Sequence, residues 1–205
     1  MSNYRSFVMD FPARCKELLR ALEETAQGSR YDVSSALTFA AASIVIPFER
    51  LRRDCHPSKD ASKHIVLKEA FDSLMRGKFL GSRLSPERSA HSWCFGRLST
   101  VAGDPDAWPE LRRPEPLHPS TKTRDMIFHL RNALSHGNIF TQGDPIRRVV
   151  FLSETAPGSG VFNYIVASPS DFRDLLQNWF DFLASGEIPT YVIPSLPEAS
   201  ASPPV

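Results

Sequence analysis

The stretch that most constrains the fold is Phe39–Phe48, FAAASIVIPF, set within a helical run from near Asp32 or Ser34 towards Leu51. A helix that is apolar nearly all round must be covered on several sides. A membrane-spanning helix needs roughly 20 apolar residues, and this stretch is short and interrupted by Ser43 and Pro47. It reads as a buried core helix, kinked at Pro47, where a backbone N–H is missing and the ring meets the preceding turn. Arg50, Arg52 and Arg53 close it, as suits a helix C-terminus, where the dipole favours cations.

Such a helix needs partners, and the periodicity supplies them. An amphipathic helix is expected from about Phe11 to Gln27, with Leu18, Leu19 and Leu22 on one side, Glu17, Glu23 and Glu24 opposite, and Gly28 as its stop. A third is expected from Lys63 to Phe79, and a fourth from near Thr121 to Gly137, which can take the left-handed cap. Ser168-Pro169-Ser170-Asp171 opens a last helix with Leu175, Leu176, Trp179, Phe180 and Leu183 as its apolar face. Residues 81–119 hold no period, and Trp93, Phe95 and Trp108 are expected to anchor an irregular connection there rather than to stack on bases. Arg147–Glu154 and Phe162–Ala167, joined by Pro-Gly-Ser-Gly, read as a β-hairpin. The expectation is a mainly α domain over 1–187, with a hairpin at about 147–167 inserted after the fourth helix and a loose Pro/Ser-rich tail over 188–205.

Of the 205 residues, 41% are hydrophobic and 23% charged, enough apolar material for a core. A formal charge of +1 argues against a protein that grips long duplexes through phosphates alone, so any nucleic-acid role must rest on a local site. Cys15, Cys55 and Cys94 form no C-x-x-C pair, which leaves buried thiols in a reducing compartment as the expectation. No basic segment followed by an apolar one opens the chain, so a cytoplasmic location without membrane attachment is expected.

Chemistry concentrates in the fourth helix. Arginine and histidine stand five apart at Arg113/His118, Arg124/His129 and Arg131/His136. The first pair lies among prolines that forbid a helix. The other two share one helix, on which Met126, Ile127, Leu130, Ala133 and Leu134 form the core stripe. Asp125, His129, Asn132 and His136 line the far side, flanked by Arg124 and Arg131. Polar helix faces are ordinarily just solvated, but they are then Lys- and Glu-rich, and this one carries no lysine after Lys122 and no glutamate. Histidine and asparagine have little helix propensity to explain their presence.

The segment Leu130–Asn138, LRNALSHGN, resembles the R-x4-H motif region of the HEPN superfamily, in which a polar residue follows the arginine. It is most similar to small, often plasmid-borne, single-domain bacterial members. IPFERL at 46–51, FGRL at 95–98, FLSE at 151–154 and SPSDF at 168–172 are similar to that group too. The resemblance implies a HEPN-like helical bundle that dimerises through its motif helices, and a metal-independent endoribonuclease without cofactor. Arg131, Asn132 and His136 would be the catalytic set, with His129, Arg124 and Asp125 serving RNA binding or the interface. Members controlled by a nucleotidyltransferase antitoxin often carry a tyrosine where this chain has Asn138, which argues against that route; any antitoxin or regulatory partner stays open.

The residue types fit RNA cleavage. The substrate carries its own nucleophile, the 2′-hydroxyl, so the protein must move protons and stabilise an anionic transition state. Imidazole titrates near neutrality and serves as base or acid; guanidinium offers a fixed fork to phosphate oxygens. One histidine does not easily act as both base and acid, whereas two copies brought together by a two-fold axis can. The readings left open are a ribonuclease acting as toxin or antiphage effector, a non-catalytic module binding RNA or protein, and a structural protein whose histidines satisfy an interface.

Overall fold

The computed structural model describes residues 7–26, 32–53, 61–86, 91–99, 101 and 104–185. Its elements are α1 (Phe7–Ala26), α2 (Asp32–Arg53), α3 (Ala61–Arg76), β1 (Cys94–Leu98), α4 (Pro109–Arg112), α5 (Thr123–His136), β2 (Ile139–Gln142), β3 (Arg148–Glu154), β4 (Phe162–Ala167) and α6 (Pro169–Ala184). The fold is mainly helical, with one antiparallel sheet of order β1-β4-β3-β2.

Packing follows from the sequence patterns. α2 is covered by α1, α3, α5 and α6, as its apolar surface demands, and Ala40, Ser43, Ile44, Phe48 and Leu51 are buried. Pro47 lies inside a continuous helix. The buried Ser43 carbonyl accepts the Trp179 Nε1–H at 2.8 Å, which ties α6 to α2. α6 starts as its sequence indicates: the Ser168 hydroxyl accepts from the Asp171 N–H, and Pro169 occupies the first turn.

Three expectations need correction. The face of α1 turned inward carries Cys15 and Leu19, while Leu18 is exposed; the stripe runs at i, i+4, and Leu18 falls one position off it. α3 ends at Arg76, not Phe79, because Lys78 pairs with Lys122 and Phe79 donates its N–H to the Thr121 carbonyl. The span 81–119 is not wholly irregular: Cys94–Leu98 pairs with β4, so the expected hairpin β3–β4 belongs to a four-stranded sheet. Trp93 and Trp108 are buried and anchor this region, Trp93 edge-on to Phe79 and Trp108 to Phe140. Cys15 is buried and Cys94 half-buried, burial pushing both thiols up. Cys55 and the expected tail at 188–205 lie outside the described residues.

The sheet is covered on both faces. Successive side chains of a strand point to opposite faces. Val149 and Phe151 join Ile165 and Ala167 in the main core with the helices. Val150 and Leu152 join Tyr164, Val166, Leu98, Trp108 and Leu111 in a second, smaller core. Gly96 stands opposite Tyr164, and any β-carbon there would lie 2.4 Å from the tyrosine oxygen. No helix among the described residues is long and apolar enough to cross a membrane.

The end of α5 provides a stability test. Gly137 adopts φ 68°, and its N–H caps the Ala133 carbonyl directly after His136. A side chain in this left-handed conformation costs about 1–2 kcal/mol, so Gly137→Ala is expected to destabilise the fold by that amount, read as a lower urea midpoint at unchanged slope. An unaltered midpoint would contradict the capping role.

Candidate active site on helix α5

α5 is fixed at its start by the Thr123 N–H to the Gly77 carbonyl at 2.9 Å and the Thr123 hydroxyl to the Lys78 carbonyl at 3.2 Å. Met126, Ile127, Leu130, Ala133 and Leu134 are buried, as the periodicity indicates. The helix packs on α2 and α3 on one flank and on β3 and β4 on the other. Its polar residues therefore project from a body held on two sides.

Arg131 is the most constrained of the motif residues. Its guanidinium meets the Glu49 carboxylate of α2 at 2.8 Å and donates to the Asn132 side-chain oxygen at 2.7 Å. Both ion-pair partners are largely covered, at 23% and 21% exposure. Loss of one partner should thus cost more than the about 0–1 kcal/mol of a surface pair and less than the about 3–5 kcal/mol of a fully buried one. The Arg131 Nε is buried without a hydrogen-bond partner. A guanidinium carries more donors than Glu49 and Asn132 use.

His129 behaves differently. Val149, Phe151 and Ser153 share the helix-facing side of β3, so the Ser153 hydroxyl reaches the His129 Nδ1 at 2.6 Å. On β1, Phe95 stands opposite Ile165 in the same helix-facing row, and its ring lies 5.4 Å from that of His129. Phe128 approaches edge-on at 5.8 Å. Burial lowers the His129 pKa, with Asp125 opposing in part, so the imidazole is neutral near pH 7 and held in one orientation.

His136 is exposed at the last turn of α5, and among the described residues no hydrogen bond or ion pair holds it. Five residues at about 100° each put it about 140° round the helix from Arg131. The structure thus joins Arg131 to Asn132 by a hydrogen bond, while His136 stands one turn beyond Asn132 on the same side of the helix and well round from Arg131. Asp125 and Arg124 are exposed near the start of the helix. The set-aside His118 lies in a non-helical turn, its Nδ1 on Ser120 at 2.7 Å. Among the described residues no group of three or more His, Cys, Asp or Glu side chains converges as a metal site would require. Glu49 and Ser153 were not singled out from sequence, although both sit in the quoted IPFERL and FLSE stretches.

The lowered His129 pKa has a definite sign. The unfolded chain, with histidine near 6.5, takes up a proton more readily than the folded one. Stability is therefore lost as pH falls through about 6.5 and below. Replacing His129 by Gln should flatten the pH dependence of the urea midpoint between about pH 7 and 5; the same slope in both proteins would refute the assignment.

The family model for HEPN pEK499 p136 matches residues 1–189. None of the curated proteins and none of the solved structures compared with the chain matches it. A match over so much of its length settles the family: the chain belongs to the HEPN pEK499 p136 family and carries a HEPN domain.

Proposed function

We propose that this protein is a metal-independent endoribonuclease of HEPN type that acts as a toxin or antiphage effector and works as a homodimer. HEPN domains are often ribonucleases. The observation that carries the reading is the arginine held at 2.8 Å and 2.7 Å by Glu49 and Asn132, its side chain still 23% exposed, on the helix that ends in an exposed histidine. Preorganised donors aimed at developing charge contribute strongly to catalysis because they need no rearrangement during reaction.

In this mechanism Arg131 receives the scissile phosphate and stabilises the crowded anionic transition state. Asn132 fixes the guanidinium. His136 takes the proton of the 2′-hydroxyl, which attacks the adjacent phosphorus, and His136 of a second copy protonates the departing 5′-oxygen. The products are a 2′,3′-cyclic phosphate and a 5′-hydroxyl. A two-fold axis near α5 would bring the two His136 side chains into one cleft and supply each with the other's Arg131. The same separation of Arg131 and His136 within one chain favours an alternative reading, an RNA-binding or interaction module without turnover.

Cleavage of labelled RNA by the purified protein in excess EDTA separates the readings. The expected outcome is cyclic-phosphate and 5′-hydroxyl ends, loss of turnover in His136→Ala by a factor of about 10²–10⁴, and a fall in kcat exceeding the rise in KM in Arg131→Ala. Ends bearing 3′-hydroxyl and 5′-phosphate, or abolition by EDTA, would overturn the mechanism. Light scattering at micromolar concentration should report a dimer; a monomer with full activity would eliminate the shared cleft.

A further inference from the structure

Two clefts open beside the N-terminal half of α5. One, of about 540 Å³, has Phe48, Phe71 and Met75 at its apolar floor and is rimmed by Arg52, Arg76, Lys122 and Arg124, with Asp72 and Asp125. The second, of about 380 Å³, lies between Phe95 and His129 and is bordered by Ser120, Thr121 and Met126. Lys122 and Asp125 line both, so the two are parts of one groove.

The two parts differ in chemistry. In the first, four cations face two carboxylates, and Asp72 is already engaged by Lys68. Arg52 is shared with Glu49 at 3.6 Å, but among the described residues no ion pair holds Arg76, Lys122 or Arg124. Among the described residues Asp125 alone faces these three cations, so the concavity keeps an excess of positive charge that an anion would offset, and a polyanion supplies several. Around the second part the surfaces are aromatic: Phe95 and the His129 ring line it, and Phe128, 39% exposed, stands beside the His129 ring at its margin. Fixed aromatic planes beside a cationic track are how single strands are held, bases on the rings and phosphates on the cations.

We infer that this groove is a single-strand RNA subsite, in which Arg76, Lys122 and Arg124 take backbone phosphates and the Phe95/His129/Phe128 cluster receives one unpaired base. The inference rests on the ribonuclease reading for the identity of the strand, and adds to it where the strand lies. His129 and His136 are seven residues apart, about 10 Å along the helix axis, so a strand gripped in the groove can extend along α5 to the exposed histidine. Ser153 then acquires a role: by holding His129 Nδ1 at 2.6 Å it keeps the ring in place as part of the platform.

The test separates binding from cleavage. A short labelled oligonucleotide methylated at every 2′-oxygen cannot be cut by 2′-hydroxyl attack, and its binding to the full chain is read by fluorescence anisotropy over a range of salt. Arg76→Glu with Arg124→Glu, both surface changes, should weaken binding at least about tenfold at low salt and reduce the salt slope by about 1.4, the value for two lost phosphate contacts on a single strand. Phe128→Ala should weaken binding about five- to a hundred-fold while leaving the slope alone, the mark of lost stacking. Arg147→Glu, in a separate basic cleft beside β2, should change little. Equal binding by the parent and the double variant, or an equal loss from Arg147→Glu, would overturn the subsite. If RNA is cut and KM ignores the groove variants, the subsite fails and the ribonuclease stands. If the methylated strand binds through the groove but RNA is never cut, the subsite stands and the ribonuclease fails.

Discussion

The position of α5 between α2 and the sheet is the constraint on which the rest of the site depends. Its buried stripe, Met126 to Leu134, is shared between a helical flank and a strand flank. A polar side chain at either edge of that stripe therefore meets a rigid neighbour. Arg131 finds Glu49 on α2 and His129 finds Ser153 on β3. Close packing allows little drift on either side, so apolar burial sets the orientation of the polar groups.

These contacts also give a physical sense to the short stretches that resemble the family outside the motif. IPFERL brings Glu49 to Arg131, FGRL brings Phe95 to His129, and FLSE brings Ser153 to the same imidazole. SPSDF supplies Ser168, which caps α6, and Asp171, which accepts both the N–H and the hydroxyl of Ser92 just before β1. Three of the four stretches touch the polar face of α5, and the fourth braces the strand that carries Phe95.

Legibility in the sequence followed the range of the interactions. α5, its core stripe and its glycine cap were readable because helix periodicity and capping are local. The β3–β4 pairing was readable from two short apolar runs around a turn. β1 was not, because CFGRL lacks a run long enough to announce a strand and forms one by pairing with β4, far along the chain. Arg50, Arg52 and Arg53 read as a helix-end cluster, while the carboxylate beside them, Glu49, holds Arg131. That choice depends on how α2 faces α5, which no local pattern encodes. The histidine stripe was readable as a face, but its division into a covered His129 and an exposed His136 depended on where the sheet ends.

That division is the chemical core of the account. One imidazole is neutral, oriented and packed among rings; the other is exposed at the helix end and, among the described residues, is held by no hydrogen bond or ion pair. On the proposed reading, an exposed histidine set apart from its own Arg131 would gain a catalytic environment by meeting a second copy. Subunit exchange tests this most directly: wild-type and His136→Ala chains are mixed in varying ratio, co-refolded, and assayed on RNA. Cleavage through a cleft that uses both histidines should fall as the square of the wild-type fraction. A linear fall would show that each chain works alone and would contradict the shared site.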